Sequence, residues 1–132
     1  MKLAIVDKIR TNNFTDEHVM RKLTDMWKSV QPTLSTYDYV YGLYYEYESD
    51  YKGDYTLAIA VKSKEENESS ISIIPDTKYE VFEVNTDDEQ GIFNTWNDIW
   101  KKEEEGLLKR AYTYDFEKYY SDGKIEIYIA VV

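Results

Sequence analysis

No cysteine occurs in the 132-residue chain, so neither a disulfide framework nor thiolate chemistry is open to it. A single histidine, His18, is present. That excludes His-rich metal sites and argues against a Ser-His-Asp triad. No glycine-rich phosphate loop appears. No apolar run is long enough to span a bilayer, and Met1-Lys2-Leu3-Ala4-Ile5-Val6-Asp7 is too short an apolar start for a signal peptide. These absences predict a soluble cytoplasmic protein with no membrane partner. Basic residues are also scarce: 16 Lys and Arg stand against 26 Asp and Glu, a formal net charge of -10. The basic patches reach no further than Lys101-Lys102 and Lys109-Arg110. Direct nucleic-acid binding needs clustered cations to meet phosphates, so none is expected. The acidity is compatible with a cationic ligand and equally with nothing more than solubility.

Tyrosine is abundant instead. There are 14, eight of them between Tyr37 and Tyr55. A tyrosine joins a flat apolar face to a hydrogen-bonding tip, which suits a binding surface, although aromatic residues also favour strands for packing reasons alone.

The periodicity predicts one domain of strands and two helices. Residues 3–10 read as a strand. Thr15 is the expected cap of a helix with Asp16, Glu17 and His18 in its first turn. Val19, Leu23, Met26, Trp27 and Val30 recur at helical spacing, and Pro32 ends the helix. Residues 38–48 and 54–63 read as strands joined around Ser49–Gly53, and a polar loop follows over 64–70. Ile71–Ile74 and Lys78–Val84 read as strands divided by Pro75-Asp76. A second helix opens at Asp87-Asp88-Glu89, with acidic residues at its positive end. It puts Ile92, Phe93, Trp96, Ile99 and Trp100 on one face and stops at Gly106. Strands over 109–119 and 124–131 complete the chain, turned by Ser121-Asp122-Gly123.

This order repeats. At an offset of 70, Gly53 falls on Gly123, Leu57 on Ile127, Ile59 on Ile129, Ala60 on Ala130, Tyr44 on Tyr114 and Met26 on Trp96. Low identity makes duplication an expectation. The expected fold is α+β: a tandem pseudo-twofold β-α-β-β repeat, halves about 1–70 and 71–132, forming a curved antiparallel sheet with two helices and a central ligand cleft.

The last third of the chain carries the chemistry. Carboxylates stand among apolar residues in Tyr114-Asp115-Phe116-Glu117-Lys118-Tyr119 and Glu126-Ile127-Tyr128-Ile129. Such a carboxylate is costly unless it has a partner, so one that persists points to a cation, a proton to move or a buried donor. Strand alternation puts Asp115, Glu117 and Tyr119 on one face, and Glu126 with Tyr128 opposite Ile125, Ile127 and Ile129. Trp96 and Trp100 are i, i+4 neighbours, and an aromatic face beside a carboxylate suits a cation. A solvated strand face and plain core packing remain the structural alternatives. Asn85-x-Asp87-x-Glu89 is rejected as a calcium loop, because its glycine is displaced to Gly91 and Trp96 stands where the final glutamate belongs. No metal or cofactor is expected, and Lys101–Glu105 reads as a solvated helix end.

The motifs Tyr41-Gly42-Leu43-Tyr44-Tyr45, Ile74-Pro75-x-x-x-Tyr79-x-x-Phe82, Trp96-x-x-Ile99-Trp100, Phe116-Glu117-x-Tyr119 and Glu126-Ile127-Tyr128-Ile129 together resemble the GyrI-like effector-binding domain. That domain also occurs fused to DNA-binding domains in AraC-type and MerR-type multidrug regulators. The resemblance covers almost the whole chain. It implies a tandem duplication that binds lipophilic, often cationic, small molecules between its halves. Carried over, it makes Glu117 the pocket carboxylate and Glu126 and Tyr128 an acidic and aromatic wall. The duplication adds Tyr45 and Tyr47 as the equivalents of Asp115 and Glu117. Ala130 departs from the family by standing where proline is common. No helix-turn-helix is seen, so a regulatory role implies a separate DNA-binding chain. Some stand-alone members are thought to hydrolyse cyclopropane-bearing genotoxic compounds. For that alternative, Glu117 is the candidate base, with Glu126 or a tyrosine orienting water.

Overall fold

In a computed structural model, residues 2–34, 37, 39–50, 52–62, 70–72 and 78–132 are described. Tyr51, the polar segment 63–69 and Ile74-Pro75 of the middle motif lie outside them. The elements are β1 (Lys2–Thr11), α1 (Val19–Leu34), β2 (Tyr39–Tyr45), β3 (Tyr55–Lys62), β4 (Ser70–Ser72), β5 (Lys78–Glu83), α2 (Gly91–Glu104), β6 (Asp115–Tyr120) and β7 (Ile125–Val131). The chain is α+β: the described residues form two helices and one curved antiparallel sheet in the order β4-β1-β3-β2-β6-β7-β5. Strands β1, β3 and β2 mirror β5, β7 and β6 across the central β2–β6 pair. Short β4 pairs with β1 at the edge of the sheet, outside the strands that the two halves share.

The alternation of β2, β6 and their neighbours sorts the side chains into two layers. On the helix side, Met26 and Val30 of α1 bury against Leu57, Ile59 and Val61, and Trp96 and Ile99 of α2 bury against Ile127 and Ile129. On the other side Leu3, Tyr41, Leu43, Ala58, Ala60 and Phe116 form a separate buried cluster. Strand β3 is therefore buried on both faces from Tyr55 to Val61. The helices converge over the centre of the sheet from opposite sides of the pseudo-twofold.

Several expectations shift. Helix α1 begins at Val19, not within the Thr15 turn. Asp16 does the capping work, because its short side chain accepts the His18 N–H at 2.9 Å and its carbonyl accepts the Val19 N–H at 3.2 Å. Pro32 lies inside the last turn of α1; one hydrogen bond lost that close to the end does not stop the turn from completing. Helix α2 starts at Gly91 rather than Asp87, since Asn85 and Asp88 side chains take up the Asp87 and Gln90 N–H groups in local turns. It ends in a Schellman arrangement, with Gly106 at φ 77° and the Leu107 N–H bonded to Lys102 O at 2.9 Å. Phe93 is 57% exposed rather than on the buried face.

The repeat is real in topology but not at one offset. Leu57 pairs with Tyr44 and Ile127 pairs with Glu117, so matching Leu57 to Ile127 makes Tyr44 equivalent to Glu117. Residues 46–55 lie between the paired Tyr45 and Thr56, whereas 119–125 lie between the paired Lys118 and Glu126. The second hairpin is three residues shorter, so β2 and β6 align at 73 while β3 and β7 align at 70. An odd shift moves every side chain to the other face of a strand. Tyr44 and Tyr114, matched by sequence, therefore face opposite sides of the sheet. Four helix-side positions, Gly42, Tyr44, Asp115 and Glu117, form the twofold-related centre.

The chain before β6 is not a strand from 109. Only Arg110 bridges Val131, and Tyr112 takes the left-handed conformation at φ 56°. That break turns Arg110 inward, where Nη2 meets Asp115 Oδ2 at 2.7 Å with both side chains essentially inaccessible. Tyr47 Oη donates to the same oxygen at 2.5 Å, and the Ala130 N–H donates to Oδ1 at 2.8 Å. Asp115 thus has an internal cation and a full set of donors. Removing one member of a buried pair strands the other's charge. Arg110→Met is expected to lower unfolding free energy by about 3–5 kcal/mol in urea denaturation, while Arg110→Met with Asp115→Leu recovers most of that loss.

Candidate ligand-binding site

A cavity of about 720 Å³ opens between α1 and α2 above the helix side of the sheet. Val19, Met20 and Leu23 of α1 line it from one side, and Ile92, Phe93, Trp96 and Trp100 of α2 from the other. Tyr44, Tyr55 and Glu117 form its floor, Tyr47 and Arg110 one end, and Asn13 and Phe14 reach it from the β1–α1 turn. A second depression of about 490 Å³ between β5 and α2 is bordered by exposed charged side chains, Glu83, Asp98, Lys101, Lys102 and Glu105 among them. It holds no buried carboxylate.

Glu117 is 3% exposed and stands on β6 opposite Gly42 of β2. The missing side chain at Gly42 makes its seat: a Cβ there would lie 3.0 Å from Glu117 Oε1. Three neutral groups donate to the carboxylate. Trp96 Nε1 reaches Oε2 at 2.7 Å, Tyr44 Oη reaches Oε2 at 2.9 Å, and Tyr119 Oη reaches Oε1 at 2.6 Å. Among the described residues no Lys, Arg or His pairs with it. Burial raises the Glu117 pKa above its ordinary 4.5, and the donations from Tyr119, Trp96 and Tyr44 offset part of that rise. Burial and the adjacent Glu117 charge push Tyr44 and Tyr119 well above 10, so both phenols stay protonated and keep donating.

The candidate residues named from sequence separate into two groups. Glu117, Trp96, Trp100 and Tyr47 border the cavity. Tyr45, Glu126 and Tyr128 do not, and the expectation that they share this site is corrected by the pleat. Tyr45 stacks on Tyr114 at 5.5 Å on the far face. Tyr128 stacks on Phe116 at 4.6 Å, also on the far face. Glu126, paired across from Lys118, accepts hydrogen bonds from Tyr120 and Tyr128 and lies 3.7 Å from Lys124. Glu117 and Glu126 therefore sit on opposite sides of the sheet and do not assemble as a catalytic pair. Tyr47 is not the structural equivalent of Glu117; it serves Asp115.

Sequence reasoning missed four contributors: Tyr44 and Tyr119 as donors, Gly42 as the seat, and Arg110 as the cation that neutralises Asp115. The Tyr-Gly-Leu-Tyr and Glu-x-Tyr spacings carried a signal for the first three. Their faces needed the register. The Lys101–Glu105 helix end is not wholly solvated either: Glu103 lies 3.6 Å from Arg110 and accepts from Tyr112. His18 is exposed, with Glu17 3.6 Å away.

The sequence profile of a family described as integron-associated effector binding protein, Cass2, matches residues 6–131. Among solved structures, the integron cassette protein Cass2 from the mobile metagenome of Vibrio cholerae is 30% identical, with a TM-score of 0.76 over 100% of this chain and 90% of that one. SAV2435, solved bound to tetraphenylphosphonium, has a TM-score of 0.71 over 100% of this chain and 88% of that one. Its 14% identity makes it a likeness of fold alone. No curated protein matches the chain in sequence.

The carboxylate's environment has a measurable signature. A pKa raised by folding means that the native state holds this proton more tightly than the unfolded chain does. The Glu117 contribution to stability is therefore full below 4.5 and is lost as pH rises through the higher folded value. Glu117→Gln is expected to stabilise the ligand-free protein increasingly over that rise and by a constant amount above it. Thermal melting of both proteins between about pH 4 and about pH 8 reads the difference; a difference independent of pH contradicts this assignment.

Proposed function

The chain belongs to the family of integron-associated effector-binding proteins, a GyrI-like family, and we propose that its effector is a lipophilic cation seated over Glu117. One observation carries the reading. A carboxylate sits at the floor of an aromatic cavity with three neutral donors and no internal counter-charge among the described residues. Desolvating a carboxylate is costly, and a bound cation offsets that cost where three neutral donors only reduce it. Asp115, two residues away, has its own guanidinium and has no such need. The apolar walls supply burial for a hydrophobic body, and the rings add roughly 0.5–2 kcal/mol for a cation over their faces. The tetraphenylphosphonium bound by SAV2435 is a lipophilic cation of this class.

In this reading the protein captures the cation, as a sensor or by sequestration. With a net charge of -10 the chain repels phosphates, so a transcriptional role would run through a separate DNA-binding partner. Cation and proton compete for the same carboxylate. Affinity therefore falls as pH drops through the raised Glu117 pKa and is constant above it.

Titration of tryptophan fluorescence with tetraphenylphosphonium is expected to saturate, because Trp96 and Trp100 border the cavity. Glu117→Gln is expected to weaken binding by about 1–3 kcal/mol and to remove its pH dependence. An unaltered titration in the Gln variant would sink the proposal.

A further inference from the structure

The two helices wall the cavity from equivalent positions. Val19, Met20 and Leu23 of α1 and Ile92, Phe93 and Trp96 of α2 border it, and each α2 residue follows its α1 counterpart by 73 residues. The same spacing relates the turns before the helices: Asn12 Oδ1 accepts the Phe14 N–H at 2.8 Å, and Asn85 Oδ1 accepts the Asp87 N–H at 3.1 Å. It also relates β1 to β5, since Ile9 pairs with Leu57 where Phe82 pairs with Ile127. The pseudo-twofold therefore carries one wall of the cavity onto the other.

Glu117 lies next to the axis. Its counterpart in the first half is Tyr44, and the two meet directly, Tyr44 Oη donating to Oε2 at 2.9 Å. Residues that exchange under a twofold and touch each other straddle its axis. The buried carboxylate of this cavity is thus placed between the walls and not at one end. The walls continue outward as apolar side chains: Met20 is 70% exposed and Phe93 57%, at equivalent positions on the two helices. Large apolar groups left in water beside a cavity mark a surface to be covered, and a ligand that touches both walls covers both.

Two further charged residues border the cavity, Arg110 and Glu89. Arg110 is neutralised by Asp115 at 2.7 Å. Glu89 stands exposed before the N-terminus of α2. Its counterpart Asp16 accepts from Lys22 at 2.5 Å and from Thr11 at 2.8 Å and lies outside the lining; in the second half Thr95 stands where Lys22 would be. Glu89 therefore attracts any cation in the cavity, but water screens its charge far more than that of buried Glu117.

Resting on the cation reading above, we propose that the cavity selects cations whose charge is flanked on opposite sides by apolar groups. The charge lies over Glu117 beside the axis. One apolar arm packs on Val19, Met20 and Leu23, and another on Ile92, Phe93 and Trp96. Met20 and Phe93 are then a specificity-determining pair that acts on the arms of the ligand and not on its charge. A cation with one long chain covers a single wall while its charged end is over Glu117.

Two isomers of one formula test this by calorimetry on the unmodified protein: tetrapropylammonium, with its charge at the centre, and nonyltrimethylammonium, with its charge at one end. Tetrapropylammonium is expected to bind at least about tenfold more tightly. Met20→Ser and Phe93→Ser are each expected to weaken tetrapropylammonium about fivefold more than tetramethylammonium, which is too small to touch both walls. Both side chains are mostly exposed, so the variants keep the core intact, and the comparison of isomers needs no variant. Glu89→Gln is expected to weaken both isomers by the same factor, at most about threefold. Equal or reversed affinities of the isomers, equal losses for large and small ions in the serine variants, or a Glu89→Gln loss confined to one isomer overturn the inference. If tetraphenylphosphonium binds while tetrapropylammonium does not, this inference alone fails. If none of these cations binds, the cation reading fails with it.

Discussion

The desolvation of one carboxylate organises the centre of this molecule. Glu117 is placed opposite a glycine, at the pairing of the two halves, and beneath both helices. Its charge cannot be hydrated there, so the surroundings must supply donors. They come from three different elements: Tyr44 on β2, Trp96 on α2 and Tyr119 on β6 itself. Each contact ties an element to the same two oxygen atoms. The sheet register, the approach of α2 and the rotamers of two tyrosines are thereby coupled to a single side chain.

Asp115 shows what the fold does when a buried carboxylate has only a structural task. Arg110 is brought in by a left-handed residue at Tyr112, and Asp115 receives a salt bridge, a phenol and a backbone N–H. Arg110 also stacks at 4.4 Å on Tyr112. The two carboxylates lie on the same face of the same strand, two residues apart, with opposite solutions. One is neutralised from within; the other is hydrogen-bonded but left without an opposite charge. Such divergence between neighbouring carboxylates in a cleft marks Glu117 as the candidate functional group of the two. The pseudo-twofold explains the room for it. The equivalents of Asp115 and Glu117 in the first half are Gly42 and Tyr44, one of which vacates space while the other donates into it.

Much of the fold was legible in the chain. The heptad-like recurrence of Leu23, Met26, Trp27 and Val30, and of Trp96, Ile99 and Trp100, located both helices, because a helix must bury one stripe. Alternation placed Asp115, Glu117 and Tyr119 together, because a strand turns each side chain through the same two directions. The halves were visible in the Leu-x-Ile-Ala-Val and Ile-x-Ile-Ala-Val ends of β3 and β7. The equivalence of Tyr45 and Tyr47 to Asp115 and Glu117 was not recoverable. It assumed one offset throughout, and a hairpin shorter by three residues reverses the facing of β6 relative to β2.

Glu126 and Tyr128 illustrate the same limit within a strand. Their pattern shows that they share a face, not which face the helices cover, since both sides of this sheet bury apolar residues. The sequence by itself determined the element types, the antiparallel α+β plan, the paired halves and the presence of carboxylates among aromatic residues. Those follow from local periodicity and from the cost of exposing apolar stripes. Only the tertiary structure decided which carboxylate has an internal cation, which tyrosines donate, and which aromatic residues form a continuous wall. Those depend on cross-strand register, on the reach of Trp96 and Tyr44 to Glu117 across 21 and 73 residues, and on the left-handed residue at Tyr112 that turns Arg110 toward Asp115, and local patterning carries no record of these.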